Sequence, residues 1–233
     1  MSWLIDQSRE RLKNGDFIGI GKTIAWSLRE RYYEQLYGIS SATPVPVEQL
    51  DIDSPTAVDY DPTSYLILRK LFRRLWRTGR NNDHGFLDVG CGKGRVTRVA
   101  ATFPYRYVVG IELSPTLVQI ARRNLEQGRG PKVCPDIRIL LADAASFDIP
   151  DSVGTVFMYN PFHGATMDSF MQKVRDSFVR TPRDMTLAFV NPVQFEASRY
   201  SWITCTDQFQ SFYPHYAHDM QVMTYSVLES SAE

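Results

Sequence analysis

Cysteine is scarce. Cys91, Cys134 and Cys205 are the three in 233 residues, too few and too scattered for a disulfide framework or a zinc site, which points to free thiols in a reducing compartment. Excess charge is missing too, since 26 Lys and Arg balance 26 Asp and Glu. No global field draws such a chain to nucleic acid or to an acidic membrane, and neither is expected as a partner. The opening residues, MSWLIDQSRE, meet acid and base within ten positions. They lack the apolar core of a signal peptide and the length of a membrane span, so a cytoplasmic location is expected by default. Internal repeats and low-complexity segments are absent as well.

The first 40 or so residues read as helical, with Ile24, Leu28, Tyr32 and Leu36 at four-residue spacing and a stop at Gly38. SSATPVPVEQLDIDSP follows, an irregular segment suited to a linker or lid. The expected division is therefore a helical extension or lid over 1–59 and a main domain over 60–233. From Tyr65 to Arg80 a second helix places Leu68, Leu71, Phe72, Leu75 and Trp76 on one side. Its six basic residues, Arg69 to Arg80, read as a solvated face.

After residue 84 short apolar runs alternate with amphipathic stretches. GFLDVG, YVVGIE, DIRILLAD, TVFMYN and MTLAFVN have the character of strands. Ser114-Pro115 is an N-cap with a first-turn proline, and its helix stops at Gly128. QVMTYSVL supplies one more β-rich run near the end. Strands separated by helices imply an α/β fold with a mostly parallel sheet covered on both faces.

In such a sheet, ligands bind outside the carboxyl ends of the strands. The first end, DVGCGKGR, carries Gly90, Cys91, Gly92 and Gly94 over Asp88; glycines let the backbone turn sharply and approach a ligand. The second end supplies Glu112 and Leu113, with the acid placed where doubly wound folds hold ribose hydroxyls. The third, Asp143-Ala144, suits pairing with the exocyclic amine of a base. Three acids in register point to a nucleoside-type ligand. The glycine order is G-x-G-x-G with Arg95 where a dinucleotide site prefers glycine, and Asp88 suits a cationic ligand better than a pyrophosphate.

FLDVGCGKGR, VVGIELS, LLADA and YNPF together resemble the successive motifs of class I S-adenosylmethionine-dependent methyltransferases, over roughly residues 60 to 191. The resemblance implies S-adenosyl-L-methionine as cofactor, a Rossmann-like doubly wound sheet with one antiparallel strand, for which QVMTYSVL is the candidate, and an N-terminal helical cap. The GIELS segment and Tyr60-Asp61-Pro62-Thr63 are similar to Dot1-like lysine methyltransferases, which adds Tyr60 and Thr63 to the expected cofactor site. YNPF is similar to the (Asn/Asp)-Pro-Pro-(Tyr/Phe) motif of amino methyltransferases, without the second proline. That similarity makes Asn160, Pro161 and Phe162 expected catalytic residues, with Asn160 expected at the cofactor site as well, and His163, the nearest imidazole, completes the expected catalytic group.

Physically, the Asn160 oxygens can accept hydrogen bonds from an incoming N–H, and Phe162 can cover a planar or cationic acceptor. Pro161 is expected to hold Asn160 extended. His163 is a candidate proton acceptor, or merely a solvated loop residue. His215 and His218 lack a third ligand, so no metal is expected. Tyr200, Trp202, Phe212, Tyr213 and Tyr216 either roof a pocket or pack the core. The expected acceptor is a nitrogen on a small or medium-sized molecule, with a protein lysine or an oxygen as alternatives. A nicotinamide dehydrogenase and a catalytically silent binding module are the rival classes.

Overall fold

The computed structural model describes Leu12 and residues 15–77, 84–214 and 220–228. Strands β1 (Gly85–Val89), β2 (Val108–Glu112), β3 (Ile137–Leu141), β4 (Val153–Tyr159), β5 (Thr186–Val190), β6 (Ile203–Ser211) and β7 (Met220–Val227) form a seven-stranded sheet in the order β3-β2-β1-β4-β5-β7-β6. All neighbours through β5 pair in parallel, while β7 runs antiparallel to both β5 and β6. The antiparallel strand is the one expected from QVMTYSVL. β6 was not anticipated: ITCTDQFQS is largely polar and exposed, because an edge strand need not bury alternate residues as inner ones do.

Among the described residues, five α-helices flank the sheet: α1 (Phe17–Tyr37), α2 (Tyr65–Arg77), α3 (Arg95–Ala100), α4 (Pro115–Gln127) and α5 (Gly164–Arg180). Alternate residues of the central strands feed opposite cores. Phe86 and Phe157 pack with the aromatic residues of α1 and α2, whereas Leu87, Val156 and Met158 pack with Phe170, Met171 and Val174 of α5. The caps follow the sequence. Ser114 Oγ accepts from Leu117 N at the start of α4, and Gly38 ends α1 in a left-handed conformation, φ 63°.

Helix α1 faces the other way from its expected stripe. Ile24, Leu28, Tyr32 and Leu36 are exposed, Leu28 by 63%, while Trp26, Glu30, Tyr33 and Tyr37 are buried. The buried face wins because its polar atoms are satisfied. Trp26 Nε1 donates to Ser64 Oγ, and Ser64 Oγ and Tyr65 N donate to Glu30 Oε1. The basic residues of α2 are also more than a solvated face. Arg74 makes a forked bond to Asp207 of β6 and lies over Phe209, Lys70 donates to Ser211, and Arg69 lies over Tyr33. The expected turn to Arg80 and the pair His215 and His218, with Tyr216, lie outside the described residues.

Candidate functional site

Strands to one side of β1 lead away through β2 and β3, and those to the other through β4 and β5, so the strand order reverses between β1 and β4. A crevice opens at such a reversal. A cavity of about 260 Å³ lies there, lined by the carboxyl ends of β1, β2 and β4, by Asp143 and Ala144 after β3, and by residues of the segment from Leu50 to Thr63.

Its floor is the glycine loop after β1. Gly90 and Gly92 have φ of 67° and 55°, conformations a side chain disfavours. A Cβ on Gly90 would come within 2.6 Å of Pro161, and one on Gly92 would collide with the Tyr60 ring. These glycines thus make room for protein as much as for ligand: Gly90 admits the end of β4, and Gly92 admits Tyr60. Neither Gly92 nor Gly94 borders the cavity.

The acids beneath the loop are held by the chain itself. Asp88 Oδ2 accepts from Thr97 N at 2.8 Å and Thr97 Oγ1 at 2.6 Å. Burial is the main influence on it, pushing its pKa up from the ordinary carboxylate range to about 7 against those two hydrogen bonds. Glu112 Oε2 accepts from Gly92 N and Oε1 from Ser114 N, each at 2.9 Å. Burial raises its pKa too. Glu112 therefore fixes the loop as well as bordering the cavity. Asp143 is exposed, and its Oδ1 accepts from Ala145 N at 2.9 Å, tightening the turn that presents Ala144. Cys91 and Leu113 complete this end.

Opposite the floor stands the segment before α2. Ser114 Oγ donates to Leu50 O, Thr56 and Thr166 share a hydrogen bond, Ala57 bridges to Phe162 and Val45 to Tyr60. The expected linker or lid is thus one wall of the cavity. Tyr60 Oη donates to Ser41 O, and Thr63 O accepts from Arg95. Arg95 itself was read only as a missing glycine. It is buried in an ion cluster, 2.6 Å from Glu30 and 3.1 Å from Glu34, and stacked on Tyr65. That cluster ties α1 to the start of α3 and to the cavity wall.

The β4 end differs from expectation. Asn160 is not extended: its φ is 41°, in the left-handed region that asparagine tolerates better than most residues. The turn drops Pro161 onto Gly90 and Phe162 beneath Ala57, and both border the cavity. Asn160 and His163 do not border it; His163 is the half-buried N-cap of α5 and its side chain makes no cap hydrogen bond. Asp61 and Tyr159, to which the sequence assigned no role, also border the cavity and meet at 2.7 Å across 98 positions of chain. Of the aromatic tail, Trp202 and Tyr213 are buried in the cores, and Tyr200 bonds Asp168. Among the described residues, no group of three or more metal-ligating side chains is found, and no helix is long and apolar enough to cross a membrane.

The cavity suits a nucleoside ligand bearing a positive charge. Acids stand at three successive strand ends, and the dinucleotide pattern is broken by a buried, already paired arginine. Residues 86–181 match the family model described as a methyltransferase domain. Over 84 residues the chain is 26% identical to a malonyl-[acyl-carrier protein] O-methyltransferase of Priestia megaterium, a match spanning 36% of this chain and 30% of that protein. Its fold is similar to that of an RNA methyltransferase of Salinibacter ruber solved with S-adenosyl-L-homocysteine (TM-score 0.50, 22% identity, 74% of this chain and 97% of that one). It is likewise similar to that of a SAM-dependent methyltransferase of Leishmania major (TM-score 0.53, 14% identity, 68% and 72%). The motifs at the ends of β1, β2 and β4 thus fall within a stretch, residues 86–181, that matches a methyltransferase domain, and the fold around them is one shared with S-adenosylmethionine-dependent methyltransferases.

Proposed function

We propose that the protein transfers a methyl group from S-adenosylmethionine to a nitrogen of a small or medium-sized amine. The carrying observation is that one cavity joins two ends: Asp88, Glu112, Leu113 and Ala144 on one side, Pro161 and Phe162 on the other. Glu112 retains acceptor capacity beyond its two backbone bonds for ribose hydroxyls, Asp88 in its ionised form complements an ammonium, and Asp143 and Ala144 flank the base. The bound cofactor supplies an electrophilic methyl on sulfur; the acceptor's lone pair forms the N–C bond as the C–S bond breaks, with its electron pair left on sulfur and the spare proton lost to solvent.

Such transfer needs mainly proximity and alignment. In this reading Phe162 excludes water from the reacting end, and Asn160, set back from the cavity wall in the turn before Pro161, orients the acceptor N–H only where the acceptor reaches past Pro161 to its oxygens. His163, away from the cavity wall, acts at most as a proton carrier at its edge. The extension over 1–59 serves as a cap whose segment from Leu50 onward shapes the cavity.

Native mass spectrometry of the purified protein, with calorimetry against S-adenosylmethionine and S-adenosylhomocysteine, tests the cofactor. A labelled-methyl assay against amine, amide, hydroxyl and RNA acceptors tests the reaction. Cofactor binding without transfer to any of them points to a silent binding module; transfer to oxygen alone overturns the nitrogen assignment.

A further inference from the structure

The outward face of α1 is apolar and stays in water. Phe17, Ile18, Ile24, Leu28, Tyr32 and Leu36 are exposed by 72, 75, 52, 63, 59 and 38%, and Gly21 and Ala25 lie exposed among them. Six such side chains along one helix face exceed the few hundred Å² of contiguous apolar surface that a monomer ordinarily leaves open. The helix cannot roll to bury them, because its other face is pinned: Trp26 Nε1 donates to Ser64 Oγ, and Glu30 and Glu34 hold Arg95. The stripe is a fixed feature of the surface.

Charge says what covers it. At 3.6 residues per turn, Lys22 and Arg29 fall along one edge of the stripe and Arg31 along the other, and all three are exposed. Lys22 lies over the Phe212 ring, while Arg29 and Arg31 make no ion pair among the described residues. Both acids of the helix, Glu30 and Glu34, are turned inward to Arg95. The loop after α4 meets the end of α1, where Arg129 N donates to Tyr37 O at 2.7 Å, and Arg129 is exposed as well. The exposed charge of α1 is therefore of one sign. A second copy brought face to face would set cations against cations, with no exposed acid on the helix to answer them.

We propose that the outer face of α1 is a docking surface for an anionic lipid bilayer, with the helix lying in the plane of the interface. The apolar stripe enters the boundary between headgroups and acyl chains, and Arg29 and Arg31, with Lys22, reach anionic headgroups on either side. The chain is neutral as a whole, so the attraction is local to this face and fades within about 8 to 10 Å at ordinary ionic strength. Docking of this kind is peripheral. α1 is 21 residues long, but its inner face is bonded into the domain, and no helix among the described residues is long and apolar enough to cross a membrane. Because Arg95 joins that inner face to the cavity wall, a docked α1 holds the cavity at the membrane surface.

The test is flotation of the whole protein with vesicles of phosphatidylcholine alone and of phosphatidylcholine mixed with phosphatidylglycerol, at low and high salt. The protein should float with the anionic vesicles and not with the neutral ones, and high salt should release it. Arg29→Glu with Arg31→Glu should weaken binding at least about 10-fold by reversing two headgroup contacts. Ile24→Ser with Leu28→Ser should weaken it at least about 10-fold by removing apolar side chains that enter the bilayer. All four side chains are exposed, so both variants should keep the circular dichroism and melting of the parent. No flotation with anionic vesicles, equal flotation with neutral ones, or parent-like binding by either variant overturns the proposal. Analytical ultracentrifugation without vesicles addresses the rival occupant: a monomer is expected, whereas a dimer that Ile24→Ser with Leu28→Ser dissociates assigns the stripe to a second copy and overturns the lipid assignment.

Discussion

Strands β4 and β5 lie side by side and end in the same dipeptide, Asn160-Pro161 and Asn191-Pro192, each with a left-handed asparagine, φ 41° and 51°. Their surroundings part company at once. Pro161 sits against Gly90, and Phe162 is buried against Phe170 and bridged to Ala57. Asn191 N is taken by Gln221 O of the antiparallel β7, and Val193 beyond it is 71% exposed. Asn-Pro is thus a device by which this sheet stops a strand. Chemistry can attach to it only at β4, where the strand order reverses and the cavity opens.

The largest effect should come from joining that end to the floor. Gly90→Ala places a methyl 2.6 Å from Pro161 at a residue with φ 67°. The left-handed penalty and the collision together should cost roughly 2 to 4 kcal/mol. Denaturant melts should register that loss, and the displaced Pro161 should abolish turnover. A protein as stable and active as the parent would mean that Pro161 and the loop do not form one unit.

The two asparagines can then be compared directly. Glycine accepts the left-handed backbone without the amide, so Asn160→Gly keeps the turn and removes only the side chain. If Asn160 aligns the acceptor, turnover should fall roughly 100-fold, with cofactor affinity within a few-fold because Asp88 and Glu112 are untouched. Asn191→Gly should leave turnover unchanged and shift stability by less than about 1 kcal/mol. Equal turnover in both variants would reduce Asn160 to a strand stop, leaving Pro161 and Phe162 to shape the acceptor end.

Legibility in the sequence followed the distance between cause and effect. The strand runs, the cap at Ser114 and the stop at Gly38 depend on a few neighbouring residues, and all were readable. So were Asp88 and Glu112, because parallel strands of similar length put their ends in register. Asp61 was quoted yet unassigned, since its partners lie 98 and 152 positions away. Arg95 was invisible for the same reason: a charged residue at a helix start reads as exposed until Glu30, 65 positions earlier, is found beside it. The four-residue stripe of α1 misled because periodicity reports amphipathicity, not which face is buried. Here the face with Trp26, Glu30 and Tyr33 had partners, and the aliphatic one did not meet the domain. Asn160 misled through a local rule: the residue before proline prefers extended backbone, but the tight contact between Pro161 and Gly90 overrides that preference.

A smaller effect separates the floor from the β4 end through pH. Burial raises the Asp88 pKa to about 7, so its folded value stands above its unfolded one. The stability this contributes is full below about pH 4 and is lost as pH rises through about 7. Asp88→Asn should flatten that part of the profile in urea melts of the cofactor-free protein. A cationic cofactor reverses the preference by favouring the ionised form, so its binding should release a proton and tighten several-fold between pH 6 and 8. In Asp88→Asn that dependence should disappear, whereas Asn160→Gly should retain it. Retention of the slope without Asp88 would assign the proton to another group, with Glu112 the next candidate.

The smallest effect is expected at the β5 end, and it is the control that gives the comparison its meaning. Val193 follows Pro192 as Phe162 follows Pro161, but it is 71% exposed and borders no part of the cavity. Val193→Ser exchanges one exposed side chain for another, which ordinarily moves stability by no more than about 0.5 kcal/mol. Turnover and cofactor affinity should match those of the parent. Phe162→Ala, the same position counted from the other proline, removes a ring only 8% exposed and opens the reacting end to water. It should cost about 3 kcal/mol of stability and most of the turnover. If Val193→Ser instead depresses turnover in the labelled-methyl assay with the fold intact, the acceptor reaches across β5. The methyl-transfer site is then wider than the crevice between β1 and β4, and the two Asn-Pro ends are a pair rather than a site and its structural copy.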